Sequence, residues 1–164
     1  MGEKYLTKLV YKNTNVFLIW YSDNQDGFLL FQQKLLMFQS YNDAKTFVKK
    51  QGIFLEDEMA TIDLSKIEDF MNNIDLSENC SNLINIWNFL GDLANSLGED
   101  FIGNHEEGFV TDIYHKLFYG SNLTVLKNEE YHPALSDEEK QKCNEIFTNG
   151  LSIVDKQLVL AGIN

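Results

Sequence analysis

The sequence predicts an α+β fold: a mainly antiparallel N-terminal sheet built from hairpins, with helices packed on it, and a helix-rich C-terminal two thirds. Three observations carry that expectation. Runs of β-branched and aromatic residues, separated by turn formers, open the chain. Later segments place apolar residues at three- and four-residue steps, the period of an amphipathic helix. Strands come first and helices later, so the two are segregated rather than alternating as in a parallel α/β sheet. The 164 residues contain no repeat, low-complexity tract or linker, and Pro133 is the only proline, so one domain over 1–164 is expected.

Taken in order, Tyr5 to Tyr11 and Val16 to Ser22 read as strands around an Asn13-Thr14-Asn15 turn. Asp26-Gly27 closes a second hairpin. Its outgoing strand runs from Phe28 to Phe31, is interrupted by Gln32-Gln33-Lys34, and resumes over Leu35 to Phe38, which predicts one bulged strand or two short ones. Ser40 can cap a helix over Tyr41 to Gln51, with Asp43 in its first turn, Lys49 and Lys50 in its last, and Gly52 just beyond. Ile53 to Leu55 and Met59 to Leu64 are short strand candidates flanking the acidic turn Glu56-Asp57-Glu58. Ser65-Lys66-Ile67-Glu68 has the form of a capping box for a brief helix through Phe70 and Met71.

The strongest periodicity follows. Leu83, Ile86, Trp87, Leu90, Leu93, Ala94 and Leu97 form one stripe, with Asn85, Asn88, Asp92 and Asn95 opposite, predicting a helix from about Leu76 to Leu97 that ends at Gly98. A second helix, Glu107 to Tyr119, sets Phe109, Val110, Ile113, Leu117 and Phe118 on one side and Asp112 with Lys116 on the other. A third, capped by Ser136-Asp137-Glu138-Glu139, continues to about Leu158 and carries Gly150 in its stripe.

Charge narrows the function. Thirteen Lys+Arg against 25 Asp+Glu give a net charge of −12, and every basic residue is a lysine. Without arginine there is no bidentate phosphate or base-edge reader, and an acidic surface repels a phosphate backbone, so direct nucleic-acid binding is set aside. A 44% hydrophobic and 13% aromatic content argues against disorder. The charge is also segregated: residues 1–54 hold seven Lys and four acids, whereas residues 55–164 hold six Lys and 21 acids. Between Gln51 and His115 a single cation, Lys66, faces 14 carboxylates. Such a face either keeps the protein soluble or steers a basic partner towards it.

Targeting and redox signals are plain. Glu3, Lys4 and Lys8 break up the N-terminal stretch, so no secretory signal is read there, and the longest apolar runs fall well short of a membrane span; a soluble cytosolic protein is expected, with no membrane partner. Cys80 and Cys143 are too few for a disulfide framework, and Cys143 shares a helical stripe with Ile146, Phe147 and Val154, so both are expected as buried thiols. The abundance of Asn, with Lys in place of Arg, suggests an AT-rich, bacterial genome.

Site chemistry is sparse. His105, His115 and His132 are the only histidines. His105-Glu106-Glu107 lacks the second His four residues on that a zinc helix requires, since Phe109 stands there, and Asp112-x-x-His115 lacks the further ligands of a di-metal site. No Gly-x-Ser-x-Gly, Walker-type or dinucleotide-type glycine loop occurs. Cys80 near a helix start would gain thiolate character from the helix dipole, but Asp75 and Glu78 beside it push the other way. No catalytic residue, metal or cofactor is therefore expected. The aromatics read mainly as core, with Phe89, Tyr114 and Tyr119 at stripe margins where they would also suit interface anchors.

Three segments, Ile86 to Ala94, Ile113 to Leu123 and the strand-to-helix passage Leu36 to Ala44, resemble small acidic immunity proteins of bacterial toxin loci, including those of contact-dependent growth inhibition. The resemblance covers about half of the chain and carries over no functional residues. It implies a cytosolic, non-enzymatic protein that binds a cognate toxin domain, frequently a basic nuclease, and neutralises it. Glu99, Asp100, Glu106, Glu107 and Asp112 are the expected docking face, with Glu56, Asp57 and Glu58 second. The alternative is an acidic adaptor or regulatory domain for some other basic protein.

Overall fold

The computed structural model describes residues 2–72, 74, 76 and 79–163. Among these, six strands and five helices follow one another as β1 (Glu3–Tyr11), β2 (Thr14–Ser22), β3 (Gly27–Phe28), β4 (Leu30–Phe31), β5 (Lys34–Leu35), α1 (Tyr41–Gln51), β6 (Met59–Asp63), α2 (Ser65–Asn72), α3 (Cys80–Leu97), α4 (Gly108–Gly120) and α5 (Asp137–Leu160). The fold is α+β, as predicted. The main sheet has the order β3-β2-β1-β6, antiparallel except for the β1–β6 pair, which is parallel.

Strand alternation gives the sheet two apolar faces, and both are covered. On one face Leu6 and Ile19, which are cross-strand partners, pack with Ala44 and Val48 of α1. On the other, Leu9, Val16 and Leu18 join the main core with α2, α3, α4 and α5. Trp87, Phe89, Phe101 and Phe147 are among its largest fully buried side chains. Trp87 meets Phe147 edge-on at 6.0 Å, tying α3 to α5. Among the described residues no helix is long and apolar enough to cross a membrane.

Several expectations shift by a few residues for identifiable reasons. The first turn is Lys12-Asn13 rather than Asn13-Thr14-Asn15, because both residues take positive φ (46° and 60°) and make the tight primed turn that matches strand twist, leaving Thr14 to pair with Tyr11. The interruption at Gln32-Gln33 is also a turn, with φ of 51° and 63°, so Leu30 pairs with Leu35 in a small separate hairpin. After it the chain returns to β2, where Phe38 bridges Phe17. Ile53 to Leu55 form no strand. Ile53 and Leu55 instead pack into the α1-side core, while Glu56 N–H donates to Lys4 O at 2.8 Å. Helix α1 matches its predicted bounds, with the Ser40 hydroxyl accepting from Asp43 N–H and Gly52 left-handed at φ 65°. At the start of α2, Asp63 accepts from the backbone N–H of Ser65. Helix α3 begins at Cys80 rather than Leu76; Ser77 and Glu78 in the predicted first turn, and Asp75 beside it, lie outside the described residues.

Candidate functional site

Helices α3 and α4, with the segment that joins them, line a cleft of about 830 Å³, open to solvent. Its floor is the polar stripe of α3, where Asn88, Asp92 and Asn95 recur at helical spacing beside Gly91. One wall is α4, presenting Thr111, Tyr114 and His115. The other wall is the segment joining the helices, fixed in place by its own backbone and a few amides. Gly98 ends α3 in the left-handed region at φ 66° and turns the chain back. Phe101 is then buried edge-on to Trp87 at 6.3 Å. Asn149 of α5 accepts from Ile102 N–H at 2.8 Å, and the Asn104 amide donates to Gly91 O at 3.3 Å and to Asn95 Oδ1 at 3.1 Å. The Trp87 indole donates to Gly103 O at 3.1 Å, and Tyr114 donates to Asn88 Oδ1 at 3.2 Å across the two helices.

Asp92 dominates the electrostatics of this cleft. It is half-buried and the only charged residue of α3. Burial pushes its carboxyl up to about 6, and the charge of Asp26, in the turn leading to β3, pushes the same way. The Trp20 indole N–H lies beside the Asp92 carboxylate and partly offsets these effects without reaching hydrogen-bond geometry. Among the described residues no Lys or His nitrogen comes within 4.0 Å of Asp92. Helical spacing sets Asp92 opposite the apolar stripe, and the structure half-buries it there, which the periodicity does not reveal. The available signal was its isolation: an 18-residue helix whose polar face otherwise uses Asn and Ser spends its single charge there.

The expected docking residues fall into three groups. Glu106 lines the cleft mouth, Glu107 stands at the N-cap position of α4, and Asp112 is exposed on α4; among the described residues none has a cation within 4.0 Å. Asp100 is engaged by His105, whose Nε2 lies 2.7 Å from Oδ1, and Glu99 is paired with Lys156 of α5. Glu56, Asp57 and Glu58 sit elsewhere, at the β6 edge of the sheet, where Glu56 and Glu58 face Tyr5 and add to the effect of Glu3 in raising its hydroxyl to about 12.

The anchor candidates divide as sharply. Phe89 is 1% exposed and packed edge-on against Phe28 at 5.2 Å, so it belongs to the core. Tyr114 lines the cleft, and Tyr119 is 61% exposed. Phe118, 51% exposed, stacks on Tyr114 and extends this aromatic row along α4. With Phe109 also at the surface, the outward face of α4 sets three exposed rings beside the exposed Asp112 and His115, more apolar area than an ordinary solvated helix shows.

Neither thiol is poised for chemistry. Burial raises the Cys80 thiol, which donates to Leu76 O at 3.2 Å, and pushes the Cys143 thiol up to about 12. Asp112 and His115 are both exposed, and among the described residues no three His, Cys, Asp or Glu side chains converge as a metal would require. Comparisons with known protein families, with curated proteins and with solved structures find no match to this chain.

Proposed function

We propose that the chain is a non-enzymatic immunity protein: it binds a basic toxin domain through the mouth of the α3–α4 cleft and the outward face of α4, and neutralises it. One observation supports this most directly. On α4 and its N-terminal approach, Glu106, Glu107 and Asp112, which have no cation partner among the described residues, stand among the exposed rings of Phe109, Phe118 and Tyr119. Carboxylates accelerate encounter with a basic surface, by roughly 10- to 1000-fold, while desolvated aromatics supply most of the energy that holds a complex together. An inhibitor that must outcompete a toxin at low concentration needs nanomolar affinity, about −12 kcal/mol, and therefore both.

The reading puts the protein in the cytosol of the toxin-producing cell. Co-expression with the product of the adjacent gene tests it. Survival of cells that otherwise die, together with co-purification of the two chains, is the expected result. Continued killing with both proteins folded and present overturns it. An adaptor for another basic protein would use the same surface, and is the outcome indicated if the adjacent gene encodes no toxin and a non-toxic basic protein co-purifies.

A further inference from the structure

The polar floor of the cleft is unexplained by protein–protein steering alone, because Asp92 is half-buried rather than displayed. A half-buried carboxylate without a counter-ion costs free energy when ionised, and the neighbouring Trp20 indole N–H offsets that cost only in part. Four asparagines on the same helix, Asn82, Asn85, Asn88 and Asn95, show what a neutral polar face there looks like. Asp26, which accepts from the Ser22 hydroxyl at 2.8 Å, raises the Asp92 carboxyl from the β2–β3 turn, so two carboxylates share a neighbourhood, and among the described residues neither has a cation within 4.0 Å. The charged groups lining the cleft are Asp92 and Glu106, and His105 is already engaged by Asp100. The Asn88 carbonyl adds an acceptor and Tyr114 an aromatic wall.

We infer that the α3–α4 cleft receives a lysine or arginine side chain carried on a loop of the protein partner, with Asp92 as its counter-ion at the floor and Glu106 guarding the entrance. This inference rests on the reading of the chain as a binder of a basic protein, and names what that surface grips. The volume, about 830 Å³, accommodates an anchoring side chain together with the loop that bears it. Tyr114, which lines the cleft, adds an aromatic ring, a neighbour that favours guanidinium or ammonium over a neutral group. A bare metal ion is a poorer occupant, since two carboxylates fall short of the ligand set such ions require.

The test needs no toxin. The full chain, labelled with nitrogen-15, is titrated at pH 7.5 with the blocked tripeptide acetyl-Gly-Arg-Gly-amide and, separately, with its citrulline counterpart, which preserves shape but not charge. The arginine peptide is expected to shift the amide signals of Asn88, Asp92, Asn95 and Tyr114, with at least tenfold weaker binding by the citrulline peptide. Asp92→Asn should abolish the difference, while Glu56→Gln, at the far edge of the sheet, should leave it intact. Equal binding of both peptides, an unchanged preference in Asp92→Asn, or binding of spermidine or calcium without the arginine peptide overturns the inference. The outcomes separate from those of the functional reading. Protection in co-expression without arginine binding removes only the cleft assignment, and arginine binding without protection removes only the immunity role.

Discussion

Asp92 shows how one residue can be a functional asset and a structural cost. Its carboxyl, ordinarily near 3.8, is raised by burial to about 6, so the folded chain holds that proton more tightly than the unfolded chain does. Between those two values the native state binds more protons, and stability must fall as pH rises through that window; above about 6 the penalty is constant. Asp92→Asn removes the charge and keeps the shape. Allowing for solvent screening of a partly exposed group, the variant should gain on the order of 1 kcal/mol at pH 7.5, an increase in melting temperature of about 3 °C for a chain of this size. Below pH 4 the gain should vanish. Thermal unfolding at the two pH values checks both halves, and a variant less stable than the parent at pH 7.5 would show that Asp92 has a favourable partner after all. Stabilisation on removing a charged cleft residue is the expected trade between stability and function.

Elements were legible in proportion to how locally they are determined. Helix α1 is specified by Ser40, Asp43 and Gly52, residues that act within one turn of its ends, and its bounds were read without error. The Gln32-Gln33 turn was not, because glutamine carries no turn preference and only the pairing of Leu30 with Leu35 forces both residues to positive φ. The cleft was invisible for a related reason: Asp92 is separated in sequence from Asp26 and Trp20, so its burial is a tertiary fact. Helix α5 lies between these cases. Its capping box, Ser136 with Glu139, was readable, but the same carboxylate also accepts from Lys116 of α4 at 2.7 Å, which no local pattern reveals. Burial alone would raise the Glu139 carboxyl; the Lys116 ammonium and the Ser136 N–H outweigh it and hold the group below its ordinary value of 4.5. A lowered value means stabilisation that is fully present above 4.5 and disappears as pH falls through the folded-state value. Glu139→Gln keeps a carbonyl to cap Ser136 but leaves the half-buried Lys116 without its counter-charge, with the Ala134 carbonyl still accepting from it at 2.9 Å, so it should cost about 1–2 kcal/mol at pH 7 and progressively less under acid. Denaturant melts at pH 7 and pH 3 measure this; an equal cost at both would assign the effect to packing.

Across the molecule, the pairing of lysines explains where negative charge is left over. Lys12, Lys116, Lys140, Lys142 and Lys156 are all committed to carboxylates on or beside α5, namely Asp155, Glu139, Asp137, Glu145 and Glu99. Lys45, Lys49 and Lys50 lie on α1, across the sheet from the acidic helices. Among the described carboxylates between Gln51 and His115, Glu99 and Asp100 are paired with Lys156 and His105, while Glu56 to Glu58 lie at the β6 edge and Glu106, Glu107 and Asp112 around α4. An exposed ring, Phe54, precedes the Glu56 group, whereas three, Phe109, Phe118 and Tyr119, accompany the Glu106 group on one helix, so steering and anchoring coincide most fully there. Reversing Glu106, Glu107 and Asp112 to lysine should therefore slow association with the toxin domain identified by co-expression by at least about tenfold at low salt, and flatten the fall in rate as salt is added. Dissociation should change far less, because exposed charges act mainly on encounter. Reversing Glu56, Asp57 and Glu58 alters the net charge by the same amount and serves as the control: at physiological salt it should slow association only weakly, since a field generated at the opposite edge is then screened within about 8–10 Å, whereas the first variant should still differ from the parent. Stopped-flow rates across a salt series distinguish the two variants, and equal slowing by both would show that the protein steers through its total charge rather than through this face.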